Sequence, residues 1–391
     1  MNSIQRYSVL GCCVILFAQQ AAAIPAFARK YDMSCNTCHA AVPKLKPYGE
    51  EFAGNGFRLE GKEPPRFLRE TGDDWLQLMR ELPLAIRLEG HAAWEPQKTG
   101  KTDFQAPWIL KLLSGGVVTE RVSYYFYFFF SEKGEQAGIE DAFLQYNNFF
   151  DIDLDLTVGQ FQVSDPLFKR ELRLSRADYL VYGLRPPDSR IDLKYDRGIV
   201  LSLGLPTGTD LVLEGLNGNG IGSLEGGSFD RDQYKNVMFR VSQEAGEMIR
   251  LGGFGYVGKE AGGLLGATNS VWMAGPDATV SLGPVEVNAQ YVERRDGNPS
   301  FLAAGGKTAA TRGAFVEMLY SPDWDHSRWY GVLLWNWGES EFHLETLGRK
   351  YQTGTGHVGY LLARNLRLTA EYTYDFLRKA NTISVGFVSA F

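Results

Sequence analysis

The residues of this 391-residue chain whose types and spacing could do chemistry are Cys35-Asn36-Thr37-Cys38-His39. A C-x-x-C-H run is the attachment pattern of c-type haem. The two thiols bond to the vinyl groups, and the adjacent imidazole becomes the proximal iron ligand. The short spacing sets both sulfurs along one edge of the macrocycle and His39 beneath the iron. A zinc site needs roughly four N or S ligands, and no second Cys pair or nearby His completes one here. A redox dithiol of the thioredoxin kind wants a βαβ context, which the flanks do not offer. The motif implies one covalent haem c held by Cys35, Cys38 and His39.

Phe27, Tyr31, Leu45, Tyr48, Phe52 and Phe57 are candidates to wrap the flat apolar ring, or to pack an ordinary small core. A segment of roughly forty residues buries little by itself, so haem or a larger neighbour must supply much of its burial. The pattern predicts a helix from about Leu45 to Ala53, stopped by Gly54-Asn55-Gly56. Pro43 is placed to offer its carbonyl to the free ring nitrogen of His39. The distal ligand stays open. Met33 is too close to reach round the ring. Met79, on a predicted short helix from Asp73 to Glu81, and His91, on the polar face of the first strand, are the candidates. Each has a bland rival, an apolar contact for Met79 and an exposed lumen histidine for His91, and five-coordinate iron is the third option.

The elements around the motif decide where it is held. Residues 1–23 read as an export signal, with Arg6, an apolar run from Val9 to Ala18, and Ala21-Ala22-Ala23 as a small-residue cleavage site. Cys12 sits too early to be a lipid acceptor and reads, with Cys13, as part of a discarded peptide. Only Cys35 and Cys38 then remain, so there is no disulfide framework. No apolar run beyond the signal reaches the ~20 residues of a spanning helix. A chain of this kind can enter a membrane only as a closed barrel, because lipid satisfies no free backbone groups. The formal charge of −6, without a Lys/Arg cluster, excludes a nucleic-acid partner.

From Leu84 onward the period becomes two. Leu84, Ile86, Leu88, Ala92 and Trp94 alternate with Arg87, Glu89, His91 and Glu95, the apolar-out, polar-in order of a barrel strand in lipid. Leu368, Ala370, Tyr372, Tyr374 and Phe376 do the same against Arg367, Thr369, Glu371, Thr373 and Asp375, and the chain ends on Phe391. About sixteen strands are predicted, with connections alternating between short (205–209, 283–284, 364–365) and long (164–193, 217–234, 296–310, 340–350). Tight periplasmic turns, longer outer loops and an even strand number are the habit of bacterial barrels. The fold class expected is an all-β transmembrane barrel of about sixteen antiparallel strands behind a small helical haem domain. The expected division is signal 1–23, haem domain 24–82 and barrel 83–391.

Two features invite more. Tyr124 to Phe130 is an unbroken aromatic run, so some of its rings must face the lumen. The loop Ser164–Leu193 mixes six basic with five acidic residues between Asp165 and Asp192. It is either an inward constriction that could select solutes or a solvated outer loop. The tryptophans at 324, 329, 335 and 337 read as interface anchors, and His326, His343 and His357 are given no role. No Ser/His/Asp arrangement or paired-carboxylate site is visible.

Pro25-Ala26-Phe27-Ala28-Arg29, the haem motif, Pro43, and the run Gly49, Phe52, Asn55-Gly56 resemble the fused cytochrome–porins of iron-oxidising bacteria. The resemblance covers about thirty residues. It implies a monohaem domain ahead of a barrel of roughly sixteen strands, and electron transfer across the outer membrane. Its implied partners are a periplasmic c-type cytochrome, extracellular iron or another redox partner, and outer-membrane lipid. A solute porin gated or sensed by a haem plug is the alternative, and a haem peroxidase with an open distal site is a weaker third reading.

Overall fold

The computed structural model describes residues 26–59, 68–69, 71–76, 78–80, 82–136, 138–222, 227–230, 232–262, 266–345 and 347–391. The export-signal reading of residues 1–23, with Cys12 and Cys13, lies outside them.

Sixteen strands close into one antiparallel barrel: β3 (Leu84–Trp94), β4 (Thr102–Val117), β5 (Val122–Glu132), β6 (Gly138–Tyr146), β7 (Leu154–Gln162), β8 (Tyr195–Leu205), β9 (Thr209–Leu216), β10 (Asn236–Ala245), β11 (Ile249–Gly262), β12 (Ala267–Leu282), β13 (Val285–Asp296), β14 (Ala309–Tyr320), β15 (Trp329–Leu344), β16 (Gly348–Ala363), β17 (Leu366–Asp375) and β18 (Ala380–Ala390). Each pairs with its successor, and β18 returns to β3 with Ile383 opposite Trp94 and Ala390 opposite Arg87. Ahead of them come α1 (Ala26–Tyr31), α2 (Cys35–Cys38), α3 (Pro47–Gly54) and a two-strand pair, β1 (Leu68–Arg69) with β2 (Leu78–Met79).

The period of two is what a two-faced wall imposes. On β14, Ala309, Thr311, Gly313, Phe315, Glu317 and Leu319 are buried inward, and the residues between them are not. Outward residues such as Leu213, Val241, Leu251, Leu333, Val358 and Val385 are exposed. An apolar exterior on a closed ladder is the arrangement hydrocarbon demands of strands. The longest connections, 163–194, 217–235 and 297–308, lie at the end opposite the termini, here called the loop end. The rest do not alternate in length as predicted: 147–153 and 321–328, at the terminal end that carries the termini, exceed 263–266 and 376–379 at the loop end. One connection is shorter than predicted: 340–350 shrinks because β15 and β16 keep pairing through a bulge as far as Leu344 opposite Gly348.

Two segments that are not barrel strands fill the lumen. The inward loop, 163–194, runs between β7 and β8. Leu167, Tyr179, Val181, Tyr182, Ile191 and Leu193 from it are fully buried against wall residues that include Phe254, Met273, Phe315 and Leu334. Of the two readings of this loop, the inward one is the structure found. The N-terminal segment, α1 to α3, docks at the terminal end. Lys44 pairs with Glu286 at 2.7 Å, the Gly54 carbonyl accepts from Gln145, and Arg58 donates to the Glu120 carbonyl. Gly56 (φ +68) allows the close approach, since a Cβ there would meet Ser123 Oγ at 2.0 Å.

The predicted helix 73–81 is absent, and β2 stands in its place. Asp73 Oδ1 accepts from the Trp75 amide at 2.9 Å, and the Asp73 carbonyl accepts from Leu76 at 3.0 Å. That Asx-type turn reverses the chain and brings Leu78–Met79 back onto Leu68–Arg69.

Candidate functional site

The haem motif is built by short-range contacts. Cys35 opens the one-turn helix α2, and the His39 amide donates back to the Cys35 carbonyl at 2.9 Å. The chain then reverses, with Lys46 donating to the Cys38 carbonyl at 2.8 Å and His39 bridging Leu45. Gly49 lets α3 close over this turn, since a Cβ there would lie 2.3 Å from the Cys38 carbonyl oxygen. Helix α3 begins at Pro47 rather than Leu45 because a first-turn proline has no amide to satisfy and a preset φ. Its end at Gly54 and Asn55 is where the sequence predicts it.

His39 is partly buried, with Nδ1 3.1 Å from the Pro43 carbonyl oxygen. A carbonyl only accepts, so Nδ1 carries the proton and Nε2 keeps the lone pair a metal would use. Burial lowers the His39 pKa and so favours the neutral, ligating form. Cys35 and Cys38 are free thiols, partly exposed, and burial raises both pKa values. Arg364, in the turn between β16 and β17, is near enough to act on Cys35, and Lys46 on Cys38. Two unpaired thiols one helical turn apart, followed by a neutral imidazole with an oriented lone pair, fit one c-type haem.

Four of the aromatic side chains pack on one another. Phe27 and Phe57 stack at 5.0 Å, Phe52 meets Phe27 edge-on at 5.4 Å, and Tyr31 meets Phe52 at 5.6 Å. Phe57 continues the stack onto Tyr125 of β5 at 4.6 Å. Tyr125, Tyr127 and Phe129 are the inward half of the aromatic run, and Tyr127 and Phe129 lie beneath Lys111.

Neither distal candidate converges on the motif. Met79 lies against Gly116, with Pro83 and Tyr124 beside it, whereas Phe27 and Phe57 lie against the adjacent Gly115. Successive strand residues point to opposite faces, so Met79 sits outside the wall and the aromatic stack inside it. His91 faces the lumen but is buried rather than exposed, and neither ring nitrogen has a hydrogen-bond partner. Its neighbours are Glu89 at 3.8 Å, the Trp108 ring and Gly386, all of the wall.

That wall carries a group of side chains that sequence reasoning did not join. Arg87 pairs with Glu89, Arg367 with the Tyr330 hydroxyl, and His357 Nδ1 with Glu371 at 3.0 Å. Glu371 also accepts from the Arg176 and Ala177 amides of the inward loop. The alternation puts Arg87, Arg367 and Glu371 inward. The partners of Arg367 and Glu371 depend on which strands and loops lie side by side, which a single sequence does not reveal, whereas Arg87 and Glu89 are neighbours on one face of β3. Among the described residues, no cluster of His, Cys, Asp and Glu is arranged to hold a metal ion.

No family model matches the chain, and no curated protein matches it. Solved structures do. The outer membrane channel DcaP of Acinetobacter baumannii aligns with a TM-score of 0.57 at 15% identity, covering 80% of this chain and 97% of its own. The anion-selective porin of Comamonas acidovorans gives 0.57 at 10%, over 80% and 99%. OmpF of Salmonella typhi, in complex with daunomycin, gives 0.57 at 12%, over 79% and 97%. The fold is a porin-like sixteen-strand barrel.

Proposed function

We propose that this chain is an outer-membrane electron conduit. One haem c on Cys35, Cys38 and His39 sits at the periplasmic mouth of a porin-like barrel. It passes electrons between a periplasmic c-type cytochrome and an extracellular donor or acceptor such as iron. The observation that carries this reading is the plug that the inward loop forms across the lumen, beyond a cavity beside α3. Where a solute porin keeps a polar, water-filled lumen, the inward loop and the strands from β7 to β16 pack an apolar core.

When bound, the haem supplies a one-electron centre whose potential is tuned by axial ligation and burial. The chain's own residues do the positioning. Pro43 fixes the ring orientation of His39, and burial holds that ring neutral. The Phe27–Phe57–Tyr125 stack and the Lys44–Glu286 pair seat the segment against the wall. An even strand number returns both ends of the barrel to one side, the periplasmic side in bacterial barrels, and this supports a motif that faces a periplasmic cytochrome.

The second reading is a solute porin gated or sensed by the haem segment. The likeness to porins and channels favours it over the conduit. Two measurements on the purified protein separate them. In liposomes loaded with a ferric redox dye, dithionite or Fe(II) added outside should reduce both haem and dye. A variant with Cys35→Ser and Cys38→Ser should reduce neither. Reduced haem with untouched dye, together with large ion-selective steps in single-channel recording, would put the gated porin first.

A further inference from the structure

A cavity of about 700 Å³ lies between α3, the inward loop and the wall from β6 to β14, and it reaches the turn 246–248 at the terminal end. Cys35, Cys38 and His39 do not line it, although Leu45, which bridges His39, does. Pro47, Glu50, Ala53 and Gly54 line it, and these share one face of α3. Gly49 lies against Cys38 and Phe52 against Phe27, on the opposite face.

The chemistry of its wall is one-sided. Glu214 on β9 is 1% exposed, and neither of its carboxylate oxygens has a hydrogen-bond partner. Glu317 Oε1, Gln162 Oε1 and Asp165 Oδ1 are also buried and unpartnered. Every unpartnered buried side-chain atom on this wall, among the described residues, is therefore an acceptor oxygen. Of the cations on this wall, Lys44 has Glu286, Lys169 has Asp165, and Arg173 has Asp178 and the Arg170 carbonyl, while Arg250 lies toward Glu286 and not toward Glu214. Buried acceptors without donors are costly, so the missing partner is a cation or a strong donor.

Phe161, Leu167, Phe168, Val212 and Leu319 give the wall apolar patches beside polar residues such as Thr157, Ser202 and Asn288. No convergent set of three metal donors exists among the described residues. We propose that this cavity binds a small organic ammonium ion from the periplasmic side, with its charged head at Glu214 and its apolar body against Phe161, Phe168 and Val212. The site stands independently of the haem reading.

The test is calorimetric titration of the full chain in detergent micelles, with any haem it retains, using benzylammonium chloride as the probe and benzyl alcohol as its neutral counterpart. Benzylammonium should saturate one site, and benzyl alcohol should bind at least about tenfold more weakly. Glu214→Gln should weaken benzylammonium by about tenfold or more while leaving benzyl alcohol unchanged. Glu317→Gln should weaken it less. Heat-modifiable gel mobility reports that each variant is folded, and should Glu214→Gln not fold, Glu317→Gln carries the test. The proposal is overturned if benzylammonium does not saturate, if folded variants bind it like the parent, or if benzyl alcohol binds equally well.

Discussion

The inward loop and the N-terminal segment both lie inside the barrel, but they are held there by opposite means. The loop is anchored at both ends by wall strands and packed from the inside. Tyr179 stacks on Phe315 at 4.2 Å, Phe168 meets the same ring at 5.4 Å, and Arg294 donates to the Leu184 carbonyl at 3.2 Å and to Ser189 at 2.8 Å. The N-terminal segment joins the barrel on one side only. Its contacts include a half-buried ion pair, two side-chain bonds to backbone carbonyls, one aromatic stack, and Ala41, buried with Leu174, Leu319 and Tyr330. The loop is thus part of the barrel's core, and the N-terminal segment is a docked unit. Local opening free energies follow buried contact, so the segment should leave long before the loop does.

The largest effect should come from removing the loop. Replacing 165–192 by a short Gly-Ser turn leaves the strand ladder intact, because β7 and β8 pair through nine residues without it. The variant should change from electrically silent to porin-sized conductance in planar bilayers. A silent loop-less barrel would mean that the N-terminal segment closes the lumen alone, and the contrast drawn above would reverse. Next in size is Phe315→Ala. This ring is fully buried, and its loss should cost about 3–5 kcal/mol, read as a lower urea midpoint and faster chymotrypsin cleavage within 164–193. Cleavage in residues 26–59 should not accelerate.

How far the sequence carries follows the same division. The wall was legible because a surface with lipid on one side and a packed lumen on the other forces alternation. Even the run Tyr124–Phe130 sorts itself, with Tyr125, Tyr127 and Phe129 turning inward. The motif was legible because its geometry is local: Pro43 lies four residues from His39, and Gly49 and Gly56 are required where chain meets chain. What stayed hidden depends on distant partners. Glu286 is 242 residues from Lys44, and nothing in either neighbourhood names the other. Met79 was misplaced for a different reason. Residues 73–81 have a helical look, but the Asp73 turn and the pairing with Leu68–Arg69 outweigh so short a propensity.

Acid should loosen the loop through Glu171. Burial alone would raise its pKa, but Lys111, Arg173 and Arg87 outweigh that and hold it at about 2 against an ordinary 4.5. A carboxylate lowered on folding stabilises fully above its unfolded value and loses that contribution as pH falls through the folded one. The loop's docking should therefore be intact above about pH 4.5 and weaken progressively toward pH 2, by about 3 kcal/mol. Protease sensitivity within 164–193 after brief acid exposure measures it. Glu171→Gln should be weaker at neutral pH and flatter across that range, and an unchanged acid profile would remove Glu171 as the cause.

The smallest effect should come from Lys44→Ala. Its ion pair with Glu286 leaves both side chains about a quarter exposed (25% and 28%), and such a pair contributes about 1 kcal/mol or less. The variant should show a few-fold faster trypsin release of the N-terminal segment, with barrel unfolding and the loop untouched. Glu286→Gln should match it, and the double variant should add little, since the two act through one contact. A loss of several kcal/mol would mean that the segment is held as firmly as the loop. In that case the haem motif would belong to the barrel core, and a gate built on its undocking would have no free-energy basis.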